Sequence, residues 1–276
     1  MDGKKMTSEM EMLKSKLRGT WMAGDFGRIA SSYSGGAAEF VERLELKPGM
    51  RVLDAACGTG NLSLPAARTG ATVVGLDLAP NLIEQARANA EEAGLDIRFE
   101  VGDVEDMPYA DGEFHVVMTM FGAMFALRPD VTAAELKRVC RPGGLIAMAN
   151  WTPGGFIGQM FKTTGKHAAP PSGIESPLLW GDIETVNRRF ENGIAALYLT
   201  PRPIEMTFPF STNETVEHFR KFYGPTQKAF ESLTDADLRD DLRRDLEDIW
   251  AASNMSENGI TRVMPEYLEV KAIRSQ

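Results

Sequence analysis

From Met50 onward, short apolar runs alternate with stretches whose apolar residues return every three or four positions. The short runs are Arg51 to Ala55, Thr72 to Leu76, Ile97 to Glu100, Val116 to Met120 and Leu145 to Asn150. Helices are expected from Leu62, from Pro80 and from Asp130. Strands apolar on both faces, separated by helices, predict a parallel sheet covered on both sides. The helix stops agree with this. Gly94 follows Glu91-Glu92-Ala93 as a C-cap, and Pro142-Gly143-Gly144 ends the helix that carries Leu136 and Val139.

The flanks follow other rhythms. Ser8 with Glu11 makes a capping-box pattern, and Leu13, Leu17 and Trp21 then fall at helical spacing. A loop is expected around Gly24-Asp25-Phe26-Gly27 and a second helix from Ala37 to Leu44, broken by Pro48-Gly49. Residues 152–181 are rich in Pro and Gly and read as a long irregular connection with one short helix; such connections are usually functional or disordered. A helix from Asp182 to Glu191 is expected next, then extended segments around Ala196 to Phe210. Helical sequence follows from Asn213 to about Asn254, and a last strand from Tyr267 to Arg274. No internal repeat or low-complexity tract interrupts the pattern.

Composition narrows the functional classes. The 276 residues are 43% hydrophobic and carry a net charge of -9, which argues against a broad basic face for nucleic acid. Cys57 and Cys140 are the only cysteines and neither has a Cys or His neighbour in sequence. That excludes a disulfide framework and a CxxC metal site, and fits a reducing compartment. The N-terminus lacks the apolar run of a signal peptide, and no apolar stretch is long enough for a membrane span. A cytoplasmic location, no metal and no membrane span are therefore expected.

The densest chemistry lies in Val-Leu-Asp54-Ala-Ala-Cys-Gly58-Thr-Gly60-Asn-Leu62. A buried strand ends at Asp54 and turns through glycines, which allow close backbone approach to a ligand, into a helix with free N–H groups. A dinucleotide motif would want a third glycine, which Ser63 replaces, and no acid beside its pyrophosphate. Asp54 suits instead an amino-acid moiety bearing an ammonium and a sulfonium, the methionine end of S-adenosylmethionine. Asp77, at the end of the next strand, stands at the spacing of a ribose-binding acid. Asp103 follows the third strand, placed to accept an adenine amino group while the Val104 N–H donates to the ring. Three acids at three successive strand ends share the carboxyl edge of one sheet, where ligands of open α/β sheets bind.

These segments, together with VVGLDLAPNLIEQARANA, VGDVEDMPYADGEFHVV, MFGAMF and LKRVCRPGGLIAMANW, resemble the class I S-adenosylmethionine-dependent methyltransferases, in particular the ubiquinone/menaquinone C-methyltransferase branch. The resemblance covers roughly residues 36–152. It implies a Rossmann-like, doubly wound α/β fold with a seven-stranded sheet of order 3-2-1-4-5-7-6 and an antiparallel last strand, the extended segments near 196–210 and 267–274 supplying the last two strands. It further implies methionine-moiety contacts from Asp54, Ala56, Cys57, Gly58 and Thr59, ribose on Asp77, and adenine on Asp103 and Val104. Met120 or Phe121 would lie beneath the cofactor. Gly60, Leu78, Leu82, Gly102, Glu105 and Thr119 complete the expected cofactor set. Ala56 departs from the family's usual first glycine, and His115 stands where an Asp is common.

The domain reading follows: one methyltransferase domain over 1–276, with a helical lid segment at 1–46 and a cofactor-binding core at 50–151. Residues 152–260 form the acceptor-side connection and helical insertion, and 261–276 the closing strand. The expected activity is in-line methyl transfer to a small-molecule acceptor, releasing S-adenosylhomocysteine. Two other readings compete: a non-catalytic S-adenosylmethionine-binding regulator, and a nicotinamide-dependent oxidoreductase, which the missing glycine and Asp54 disfavour. Phe26, Tyr33, His167 and Tyr223 are candidates for the lid or the acceptor side. His115 should sit on the order of 15 Å from Met120, at the wrong end of its strand for chemistry. His167 and His218 are weighed against plain surface roles, and Cys57 reads as a small side chain in the turn rather than a nucleophile. No general base is identified, and monomer and homodimer remain equally open.

Overall fold

The computed structural model describes residues 8–276. The first seven residues, part of the expected lid segment, lie outside this range. Seven strands form one sheet of spatial order β3-β2-β1-β4-β5-β9-β6. Five are parallel: β1 (Arg51–Ala55), β2 (Thr72–Asp77), β3 (Arg98–Val101), β4 (Phe114–Met120) and β5 (Cys140–Trp151). β9 (Glu266–Arg274) runs antiparallel to both β5 and β6 (Ile194–Pro203). This is the doubly wound, Rossmann-like topology with an inverted last strand that the alternation and the resemblance predict. A separate ribbon pairs β7 (Met206–Phe208) with β8 (Thr261–Val263).

The central strands are buried on both faces because helices cover each. In β1 every residue after Arg51 is buried, and in β2 every residue after Thr72. Helix α5 (Pro80–Glu92) begins with the proline that helix N-termini tolerate and buries Leu82, Ile83, Ala86 and Ala90, spaced as one helical face. Helices α4 (Ser63–Arg68) and α6 (Pro129–Val139) complete the βα units of the core.

The flanking segments depart from expectation in detail. The loop foreseen at Gly24–Gly27 already turns into α2 (Phe26–Ala30), and the second helix, α3, spans Ser34–Glu42 rather than 37–44. The connection after Trp151 is more regular than its Pro and Gly content suggests. It holds the 12-residue α7 (Phe156–His167) and a 3-10 turn at Pro177–Gly181 before α8 (Ile183–Arg189). The helical stretch from 213 divides into α9 (Thr212–Phe222), α10 (Gly224–Ser232) and α11 (Ala236–Ser253). Tyr223 breaks the run in extended conformation before Pro225, which lacks the N–H needed to continue it. A full capping box of Ser211 and Glu214 starts α9.

Helix α1 (Ser8–Trp21) lies across the carboxyl edge of the sheet, and its return loop is tied to the junction of α9 and α10. Gly24 forms a bridge with Tyr223, and the Asp25 N–H donates to the Phe222 carbonyl at 3.1 Å. Gly24 has φ +72, and a Cβ there would stand 2.5 Å from the Phe222 oxygen, so glycine permits both the turn and the contact.

Candidate active site

A cleft of about 890 Å³, counting its open mouth, runs along the carboxyl ends of β1, β2 and β4 beneath α1. Fourteen of the expected cofactor residues line it: Asp54, Ala56, Cys57, Gly58, Thr59, Asp77, Leu78, Leu82, Gly102, Asp103, Val104, Glu105, Met120 and Phe121. Gly60 and Thr119 do not. A Cβ at Gly60 would meet Leu64 at 2.7 Å, so this glycine serves helix packing, while the Thr119 hydroxyl accepts the Ala123 N–H at 3.1 Å.

The floor of the cleft is acidic and without a cation. Asp54 is 1% exposed, and its Oδ2 accepts the Ser63 hydroxyl at 2.6 Å. Asp77 organises the glycine turn: Oδ2 accepts the Gly58 N–H at 2.8 Å and Oδ1 the Ala79 N–H at 2.9 Å. Gly58 itself has φ +54, the left-handed conformation that aims its N–H at Asp77. Among the described residues no basic side chain pairs with either acid. Burial pushes the Asp54 carboxyl up to about 7, with the nearby Asp77 adding to the rise and Ser63 opposing it. Burial also raises Asp77, against the backbone N–H groups of Ala79 and Gly58. Two buried carboxyls of this kind call for positive charge from a ligand.

Ala56 and Phe121, at the tips of β1 and β4, hold φ of 59 and 54, positions that disfavour side chains. Strain of this kind clusters at ligand sites. Cys57 turns its thiol into a cluster with Ile83, Ala86, Ala90 and Phe99. Burial, and then the charges of Asp54 and Asp77, push that thiol upward, which disfavours its thiolate form.

The mouth carries a feature that sequence reasoning missed. Lys14 of α1 reaches down to pair with Asp103 and with Glu105, the latter at 2.8 Å. Glu105 is also held by Arg128 at 2.6 Å. Burial pushes Glu105 up, but Lys14 and Arg128 outweigh it and hold the carboxyl below its usual range. Lys14 shares its helix face with Leu17 and Trp21, which also line the cleft.

The lid candidates separate. Phe26 and Tyr33 line the cleft, and Tyr223 lines an adjoining chamber. His167 does not join them: its Nε2 contacts Asp245 at 2.8 Å, a pin between α7 and α11. His218 packs among Phe210, Phe222 and Phe208. His115 accepts the Arg51 N–H at 3.1 Å at the far end of β4, as its position in the strand predicts. No group of three or more His, Cys, Asp or Glu able to hold a metal occurs among the described residues, and no described helix is long and apolar enough to cross a membrane.

Comparison with known proteins agrees with this geometry. Residues 52–144 match the model of a methyltransferase domain. An uncharacterized protein of Mycobacterium tuberculosis is 36% identical over 247 residues, covering 88% of this chain and 90% of the relative. An uncharacterized methyltransferase of Synechocystis is 32% identical over 163 residues, 52% of this chain and 73% of the relative. Among solved structures, a geranyl diphosphate methyltransferase in complex with S-adenosylmethionine superposes with a TM-score of 0.51 at 19% identity, covering 99% of this chain and 93% of that one. The chain belongs to the class I S-adenosylmethionine-dependent methyltransferases. It is a methylating enzyme that uses this cofactor.

Proposed function

We propose that the chain binds S-adenosylmethionine in the cleft along the carboxyl edge and transfers its methyl group to a small-molecule acceptor held beneath α1. The observation that carries this reading is the pair of buried, cation-free carboxyls, Asp54 and Asp77, on adjacent strand ends. Their charge and burial fit a ligand with an ammonium and a sulfonium, and their carboxylates retain lone pairs for ammonium and hydroxyl donors.

In this reading Asp54 draws the amino-acid end of the cofactor to the glycine turn. Asp77 keeps the turn in shape through Gly58 and offers acceptor oxygens to ribose hydroxyls. Leu78, Leu82 and Val104 give the adenine an apolar slot, and Met120 and Phe121 form the floor. Helix α1, the α2 loop and the α9–α10 junction act as a lid that excludes water. When bound, the cofactor supplies an already activated methyl group, so the protein's task is alignment and desolvation.

The test is a transfer screen with methyl-labelled cofactor over phenols, quinones, amines and carboxylates. Label is expected in an acceptor product, with S-adenosylhomocysteine formed in equal amount. Binding of S-adenosylhomocysteine without label transfer to any acceptor class would favour a non-catalytic cofactor-binding protein.

A further inference from the structure

The two ends of the cleft differ in charge balance. At the glycine turn, Asp54 and Asp77 line the cleft and no described basic side chain bears on either. Past the third strand, Asp103 and Glu105 are met by Lys14 and Arg128, two acids against two bases. The first end suits the cationic part of a ligand, and the second a neutral part that hydrogen-bonds.

Lys14 is the only Lys, Arg or His among the described residues lining the cleft. Its side chain is 11% exposed and comes down from α1, whereas Asp103 and Glu105 stand on the loop that follows β3. An ammonium carries three N–H donors. Asp103 Oδ2 and Glu105 Oε2 take two of them, and Oε2 is shared with Nε of Arg128. The third N–H is left for whatever lies against Asp103 in the cleft. Asp103 has acceptor capacity to spare as well. Its Oδ1 takes the Glu105 N–H at 2.8 Å and its Oδ2 takes Lys14, while each carboxylate oxygen has two lone pairs.

We propose that Lys14 reads the adenine ring of the cofactor, one N–H of its ammonium donating to N7 while Asp103 accepts from the neighbouring 6-amino group. This rests on the reading of the cleft as an S-adenosylmethionine site with its adenine at Asp103. The amino group of adenine lies between two ring acceptors, N1 and N7. The N–H of Val104, next to Asp103 in the chain, serves N1 from the sheet side. Lys14 reaches the same acid from α1 and serves N7.

The ion pair sets a donor and an acceptor side by side, which complements the acceptor and donor on the N7 and 6-amino edge of adenine. A base with a 6-oxo group would instead turn an oxygen toward Asp103. The N–H of an ammonium is a stronger donor than a neutral one, and the burial of Lys14 limits competition from water. In this arrangement α1 carries part of the base recognition, so closing the helix over the cleft and seating the adenine are one event.

Binding separates this role from plain fastening of the helix. The full-length protein and its Lys14→Met variant are titrated calorimetrically with S-adenosylhomocysteine and with its 7-deaza analogue, in which a C–H replaces N7. The wild-type protein should bind the analogue about tenfold or more weakly, the effect of losing one charged hydrogen bond. In Lys14→Met the two ligands should bind within about twofold of each other, because the cycle removes the one contact that told them apart. A lysine that only fastened α1 would weaken both ligands by the same factor on substitution and leave their ratio unchanged. Equal binding of the two ligands by the wild type, a ratio preserved in Lys14→Met, or tighter binding of S-adenosylhomocysteine by Lys14→Met would each overturn the proposal while the cofactor reading stands. The first of these comparisons needs no variant. Failure of S-adenosylhomocysteine to bind the wild type would overturn both.

Discussion

The ammonium of Lys14, on the first helix, lies 2.8 Å from Oε2 of Glu105, behind the third strand of the sheet. The lysine side chain is 11% exposed and the glutamate 1%, so the pair is weakly screened, and Asp103 is drawn into it as a second partner. The contact fastens α1 over the mouth of the cleft at the acid expected to accept the adenine amino group. Glu105 keeps Arg128 if Lys14 is lost, so the cost is about 1–3 kcal/mol rather than that of a stranded charge. In Lys14→Met, amides of residues 8–21 should exchange hydrogen several-fold faster, and S-adenosylhomocysteine should dissociate faster. Unaltered exchange in this helix would show that the pair does not hold the lid.

Asp77 has two duties that substitution separates. Asp77→Ala removes a charged acceptor from the expected ribose site and releases the Gly58 and Ala79 N–H groups. Affinity for S-adenosylhomocysteine should fall by about 1–3 kcal/mol. Asp77→Asn should not restore it, because one end of the amide would set an N–H₂ against a backbone N–H. Calorimetry on the folded variants decides this; full affinity in Asp77→Ala would remove Asp77 from the site.

The Asp54 carboxyl, raised to about 7, links cofactor binding to pH. In the free protein its ionised form is disfavoured, so this group's stabilising contribution is complete below the unfolded value near 4 and is lost as pH rises toward 7. A bound ammonium favours the ionised form. Below pH 7 binding must therefore release a proton, and affinity should drop by up to about tenfold per pH unit. Asp54→Asn should bind weakly with a flatter pH dependence. Affinity of the wild type that is constant from pH 8 to 5.5 would contradict this role.

Ala56 tests the strain at the turn. At φ 59 an alanine pays about 1–2 kcal/mol that glycine does not. Glycine gives back up to about 1 kcal/mol through its freer unfolded chain. Ala56→Gly should thus raise stability by up to about 1 kcal/mol, visible as a small upward shift in thermal midpoint. A clear loss of stability would mean that the Ala56 methyl packs more than it strains.

The sheet was legible because its signal is local. Val52-Leu53, Val73-Val74 and Val116-Val117 are runs that suit a doubly covered strand, and Asp54 and Asp77 stand at the ends of two such strands, while Asp103 lies just past the more exposed β3. The walls of the site were less legible because they are assembled by docking. Lys14 and Trp21 read as one face of an amphipathic helix, but nothing in their spacing says that the face meets Asp103 and Phe125. Phe125 and Trp151 belong to the chamber because β4 and β5 end side by side, a neighbourhood set by sheet order. His167, weighed between an acceptor-side role and a surface one because of its Pro- and Gly-rich surroundings, ends α7 and pins it to α11 through Asp245, a contact that sequence spacing does not announce.

The central claim is that the cleft floored by Asp54 and Asp77 holds S-adenosylmethionine. Calorimetric titration of the full-length protein with S-adenosylhomocysteine, and separately with NADH, tests it most directly. The account predicts saturable binding of S-adenosylhomocysteine, weakened in Asp77→Ala, and no binding of NADH. Binding of NADH, with none of S-adenosylhomocysteine, would contradict it.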